Sequence, residues 1–202
     1  IDSCLSAYDP QKHSLYLSVA GLNPGLVGRS QWGRLLCLSG CPDQGKLRAA
    51  EALAEARQLG HSFSLCFALI FYAWVLEYCG DAEKCMEAAT EAVKIATEQG
   101  YTMHQAWGGT LHGWALSEMG CLDEGIAQME KSLEGMRVLG TELIRPEFLC
   151  LLAQAVAKRG DVQGALTIVT QALATVESTG EHYYDAELHR LKGTLLLSGS
   201  NG

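Results

Sequence analysis

Apolar and polar positions along this chain recur with a period of 40 residues, and glycine cuts the period in half. Residues 61–100 show it best, as HSFSLCFALIFYAWVLEYCG followed by DAEKCMEAATEAVKIATEQG. Each half closes on glycine, at Gly80 and Gly100, and Gly40, Gly60, Gly120, Gly140, Gly160 and Gly180 stand on the same grid. Inside the odd halves a small residue recurs at Gly33, Ala73, Gly113, Ala153 and Gly193, followed three positions later by Leu36, Leu76, Leu116, Val156 and Leu196. The even halves repeat Gly45, Cys85, Gly125 and Ala165, then Ala52, Ala92, Ser132 and Ala172. Small side chains at fixed points let two antiparallel helices approach closely, while the aliphatics fill the seam beside them. The pattern predicts a helical repeat array.

The spacing of small and large residues resembles the tetratricopeptide (TPR) helix pair, although its usual period is about 34 residues. The expected fold is all-α, a right-handed superhelical array of antiparallel helix pairs (a TPR-like α-solenoid) with about four and a half repeats of 40 residues. Residues 1–21 leave the grid and are expected to hold the end of a preceding helix and a connector through Tyr8-Asp9-Pro10. A single repeat domain should then occupy residues 22–200, with repeats at 21–60, 61–100, 101–140 and 141–180 and a final helix over 181–198. Asn23-Pro24 supplies an N-cap and a first-turn proline, and Asp81 and Asp161 should cap the helices that follow Gly80 and Gly160. Cys121 takes that slot in the third repeat, and Pro146 must lie in the first turn of its helix. On the last helix Leu188, Leu191, Leu195 and Leu196 should pack backward, before a frayed end from Ser198 to Gly202.

Charge narrows the partners. A net charge of −8, with no basic run, argues against nucleic acid or anionic lipid. The uncharged stretch Leu65–Leu76 is too short to span a bilayer. The chain begins at Ile1 and reads as a fragment of a longer, cytoplasmic protein whose apolar ends could support a homodimer. The eight cysteines form no Cys-x-x-Cys, so neither metal nor a disulfide framework is expected, and Cys79 with Cys85 is the pair to watch.

No catalytic constellation emerges, and no cofactor is expected. Gly40-Cys-Pro-Asp-Gln-Gly45-Lys46 has the spacing of a phosphate-binding loop, but Leu47 replaces the hydroxyl residue that would hold magnesium and no strand precedes it. The six histidines include no His-Glu-x-x-His pair. What stands out is aromatic. Phe67 and Trp74 are two helical turns apart, as are Trp107 and Trp114 one period later. With Ile70 and Thr110 between them, they are expected to line a partner-binding groove rimmed by Arg34, Glu77, Glu118, Glu147, Lys158 and Arg190. The competing reading is that these rings pack between successive first helices and meet no ligand.

Several strings carry a narrower resemblance: Tyr8-Asp9-Pro10-x-x-His13, Asn23-Pro24-Gly25, Pro42-Asp43-Gln44, Gly60-His61-x-Phe63-Ser64-Leu65, Gly113-Trp114-Ala115-Leu116 and Ala186-Glu187-Leu188-His189-Arg190-Leu191. They resemble the C-terminal TPR-like region of large bacterial signalling proteins. Those proteins join it to a P-loop signalling ATPase, and many also carry a class III adenylate or guanylate cyclase domain or a helix-turn-helix. Asn23 and Cys41 depart from the family's usual aspartate and aromatic. The resemblance implies a non-catalytic interaction or regulatory scaffold that receives a protein segment or another domain of its parent. The likeness to maltose-regulator arrays allows a small-molecule sensor instead.

Overall fold

A computed structural model describes Asp9, Lys12, Leu15, Tyr16, Gly21 and residues 23–199. Apart from those isolated positions, the connector expected over residues 1–21 lies outside the described residues, as does the tail at 200–202. The described residues form nine α-helices and no strand. They are α1 (Pro24–Leu38), α2 (Pro42–Leu59), α3 (Ser62–Tyr78), α4 (Ala82–Gln99), α5 (Thr102–Glu118), α6 (Leu122–Val138), α7 (Arg145–Lys158), α8 (Val162–Thr179) and α9 (Asp185–Gly199). The chain divides into two compact units, Ile1–Leu111 and His112–Gly202.

The helices start where short-range chemistry allows. Asn23 Oδ1 accepts the Leu26 N–H at 3.1 Å, with Pro24 in the first turn of α1. His61 caps α3 through Nδ1, which accepts from Ser64 N–H. Asp161 Oδ1 accepts from Gly164 N–H at 2.8 Å. Cys121 stands at the N-cap of α6 without a side-chain bond. Pro146 lies in the first turn of α7.

Glycine serves two separate purposes. The grid glycines at the helix ends all have positive φ, and an added Cβ would meet nothing, so they are placed for backbone conformation. Gly33, Gly45, Gly113 and Gly125 have ordinary helical backbones and are placed for closeness. A Cβ on Gly113 would lie 2.7 Å from the Gly125 carbonyl oxygen and 2.8 Å from Met129 Cγ. In the first repeat a Cβ on Gly45 would lie 2.6 Å from the Gly33 oxygen. Ala73 and Ala153, at the corresponding points of α3 and α7, are fully buried.

Within the first unit α3 packs against α1, α2 and α4, which is why it is apolar all round. By contrast α4 buries one stripe, Cys85, Ala88, Ala89, Ala92 and Ala96. In the second unit α7 packs against α6, α8 and α9 and buries most of its length. Its entry is irregular. Ile144 has φ 59°, rare for a β-branched residue, and its N–H donates to Glu181 Oε2 at 2.9 Å. On α9, Leu188, Leu191 and Leu195 are buried, but Leu196 is 51 % exposed, against the expectation that it packs backward. Gly193, on the same helix, would meet nothing within 4 Å if a Cβ were added.

Candidate functional site

The first helices of successive repeats bring the aromatic residues of the first unit into one continuous row. Phe67 stacks on Phe71 at 4.4 Å, Phe71 lies 5.7 Å from Trp74, and Trp74 meets the edge of Trp107 at 6.3 Å. From α5, His104 lies 5.6 Å from Trp107 and 4.8 Å from Phe63, which in turn meets Tyr101 at 5.2 Å. Such edge and offset contacts suit the ring quadrupoles. Arg34 closes the α1 side. Its guanidinium sits 4.3 Å above the Trp74 ring, and its Nε–H donates to Tyr78 Oη at 3.0 Å.

Burial decides between the two readings of this face for most of its members. Ile70, Trp74, Thr110 and Trp114 are buried, with Trp74 only 1 % exposed, so they do not line an open groove. The Thr110 hydroxyl donates to its own helix at the Ala106 carbonyl. Phe67 and Trp107 remain half-buried. Trp74 is enclosed because α3 packs against α1, α2 and α4 at once.

The expected rim also separates. Arg34 is buried under the Trp74 stack, and Glu77 is half-buried. Glu147 is fully buried and accepts from the Tyr183 hydroxyl at 2.7 Å, so it belongs to the interior of the second unit. Glu118 and Lys158 are exposed and form an ion pair, and exposed Arg190 pairs with Glu187.

Two polar atoms in the row are distinctive. His104 Nε2 and Trp107 Nε1, one helical turn apart, are both buried and meet no hydrogen-bond partner. Burial also lowers the His104 pKa, so the ring is held neutral. The sequence reading missed His104 because a histidine without a matching carboxylate carries no motif. The Arg34–Tyr78 contact had a findable signal, since the two stand one period plus one turn apart.

The phosphate-loop lookalike is accounted for by packing. Gly40 ends α1, Gly45 is a crossing point, and Lys46 Nζ is bound to Asp81 Oδ2 at 2.8 Å. Among the described residues no group of three or more His, Cys, Asp or Glu side chains could hold a metal ion. No described helix is long and apolar enough to cross a membrane. Cys79 and Cys85, the two cysteines singled out in the sequence, are both free thiols. Cys85 is fully buried with Sγ 3.7 Å from the Leu111 carbonyl, because its position is a crossing point between helices.

No family model matches the chain. An uncharacterized protein of Rhizobium meliloti (strain 1021) is 26 % identical over 198 residues, which is 96 % of this chain. The chain spans only 19 % of that relative's length. Among solved structures, the apo form of RapI aligns over 96 % of this chain and 67 % of its own, with a TM-score of 0.67 at 15 % identity. A kinesin light chain-like protein of Podosopora anserina with nearly identical TPR-like repeats aligns over 88 % of this chain and 97 % of its own, with a TM-score of 0.57 at 14 % identity. The fold is a TPR-like helical repeat.

Proposed function

We propose that this chain is a non-catalytic interaction and regulatory module, one TPR-like part of a larger bacterial, cytoplasmic signalling protein. Its partner would be a segment or another domain of that parent. The aromatic row carries the reading. Phe67 and Trp107 leave part of their rings accessible, while Trp74, Phe71 and Arg34 hold them rigid from beneath, which suits an anchor for a partner side chain. The much greater length of the Rhizobium relative supports a multidomain parent. The test is calorimetric titration of this chain with the remaining domains of the parent, expressed separately. Phe67→Ala and Trp107→Ala should each weaken binding by about 2 kcal/mol, roughly thirtyfold, with helicity kept. Binding that ignores both substitutions would remove this face as the partner site.

A small-molecule sensor is the second reading, favoured by His104 Nε2 and Trp107 Nε1 inside an aromatic enclosure. A metabolite that raises the melting point of wild type but not of Trp107→Phe, without any protein partner, would favour it.

A further inference from the structure

His104 sits inside a shell of other rings. Its ring centroid lies 4.8 Å from Phe63 and 6.2 Å from Phe67 on α3, 6.1 Å from Tyr101 just before α5, and 5.6 Å from Trp107. Three conditions there disfavour an imidazolium. The charged ring carries an N–H on both nitrogens, yet Nε2 is sealed from water and meets no hydrogen-bond partner among the described residues. His104 is also the third residue of α5, in the first turn, where the helix dipole opposes a cation. Finally, the shell strips away hydration, and burial lowers the pKa accordingly. Ring faces attract cations, but that attraction is the weaker effect here, since the net shift is downward.

The groups around the shell do not offset this. Of its four rings only Tyr101 titrates, and a phenol stays uncharged in acid. On α4, whose Thr97 hydroxyl accepts from Gln105 Nε2, Lys94 and Glu98 are exposed. At the start of α3, His61 has its Nδ1 engaged by Ser64. Arg34, on the α1 side, is separated from His104 by two rings, since it lies over Trp74 and Trp74 meets Trp107. We propose that His104 is a proton-operated latch on the aromatic row: uptake of one proton drives its imidazole out of the ring shell and unseats Trp107 and Phe67. The neutral ring fills the space between α3 and α5, whereas the charged ring can satisfy its Nε2 N–H only in water.

The direction follows from the cause. The latch is closed above the ordinary histidine value of 6.5 and opens as pH falls through the lower folded value. Opening would scatter the two rings proposed above as the partner anchor, so acid would weaken capture. That consequence rests on the anchor reading, but the latch itself does not.

The experiment follows the full chain by NMR from about pH 7.5 to about pH 5. The His104 ring signals and the Trp107 indole signal are assigned by their loss in His104→Phe and Trp107→Phe. The expected result is a His104 midpoint below 6.5, with the Trp107 signal shifting at the same midpoint and helicity unchanged by circular dichroism. The Trp107 share of acrylamide quenching, taken as wild type less Trp107→Phe, should rise over the same range. In His104→Phe and in uncharged His104→Gln, the Trp107 signal should hold its position. A His104 midpoint at or above 6.5, or a Trp107 shift that persists in both variants, would overturn the proposal. So would constant quenching, which would mean that the ring feels the charge without moving, or helicity lost in step, which would mean global unfolding. The anchor is tested apart from this, by titrating the parent's remaining domains at both ends of the pH range. Binding that weakens with acid in wild type but not in His104→Phe supports the latch as its regulator. Binding indifferent to pH while Trp107 moves would remove the anchor and leave the latch.

Discussion

At the scale of single residues, closeness and conformation are separate demands that the same amino acid meets at different places. Gly113 is a closeness glycine, with the Gly125 carbonyl and Met129 where its Cβ would go. Gly113→Val should therefore cost roughly 1–3 kcal/mol, since two backbones would have to separate. Gly193 stands at the corresponding point of α9 with nothing within 4 Å and an ordinary helical backbone. There Gly193→Ala should stabilise by about 0.5–1 kcal/mol through helix propensity alone. Denaturant titrations followed by circular dichroism compare the two directly, and equal effects would show that the crossing points are misplaced. Trp74 is the residue where core and site readings collide. At 1 % exposure and stacked under Arg34, its replacement by alanine should cost about 3–5 kcal/mol of stability. A Trp74→Ala protein with unchanged stability would restore the open-groove reading at this position.

At the scale of helices, caps and burial pattern do different work. Asp161 makes the side-chain bond that opens α8, so Asp161→Ala should cost about 1 kcal/mol. Cys121 occupies the same slot before α6 and makes no such bond. Cys121→Asp should stabilise by about 0.5–1 kcal/mol, because a carboxylate there can accept a first-turn N–H and complement the helix dipole. Thermal melts of the two single variants should move in opposite directions. A drop for Cys121→Asp would mean that the thiol has a packing role. The alanine stripe of α4 and the all-round burial of α3 follow from one cause. α3 takes contacts from α1, α2 and α4, whereas α4 buries a single stripe.

For the whole molecule, half-buried imidazoles contribute to the response to acid. His104 and His112 both have lowered pKa values because burial penalises the charged form. In the unfolded chain each would protonate near 6.5, before its folded counterpart. Their contribution to stability is thus complete above 6.5 and is lost as pH falls from there toward the lower folded values. Asp81 works in the same direction at lower pH. The Lys46 hydrogen bond lowers its pKa, so its contribution is present above 3.8 and disappears as pH falls through the folded value. Denaturation midpoints measured between about pH 7 and pH 5 should fall with acid, and a His104→Phe, His112→Phe double variant should show a flatter profile. An unchanged slope would place both rings in water.

The period of 40 residues was legible without coordinates because every repeat must solve the same two local problems. A helix has to end, which calls for Gly80 or Gly160 in a left-handed conformation, and two backbones have to cross, which calls for Gly33 or Gly113. Both demands act over a few residues or at a fixed register, so they leave marks in composition. The caps at Asn23, Asp81 and Asp161 were readable for the same reason. Which aromatics reach solvent was not readable, because Phe67 and Trp74 share a helix face and differ only in what neighbouring repeats lay over them. Glu147 looked like a rim charge because sequence could not foresee Tyr183 and the irregular entry at Ile144. Cys85 was not available to Cys79, because burial at a helix crossing sets its Sγ against the Leu111 carbonyl. Exposure and pairing across repeats are set by elements distant in the chain, and only the tertiary structure decides them.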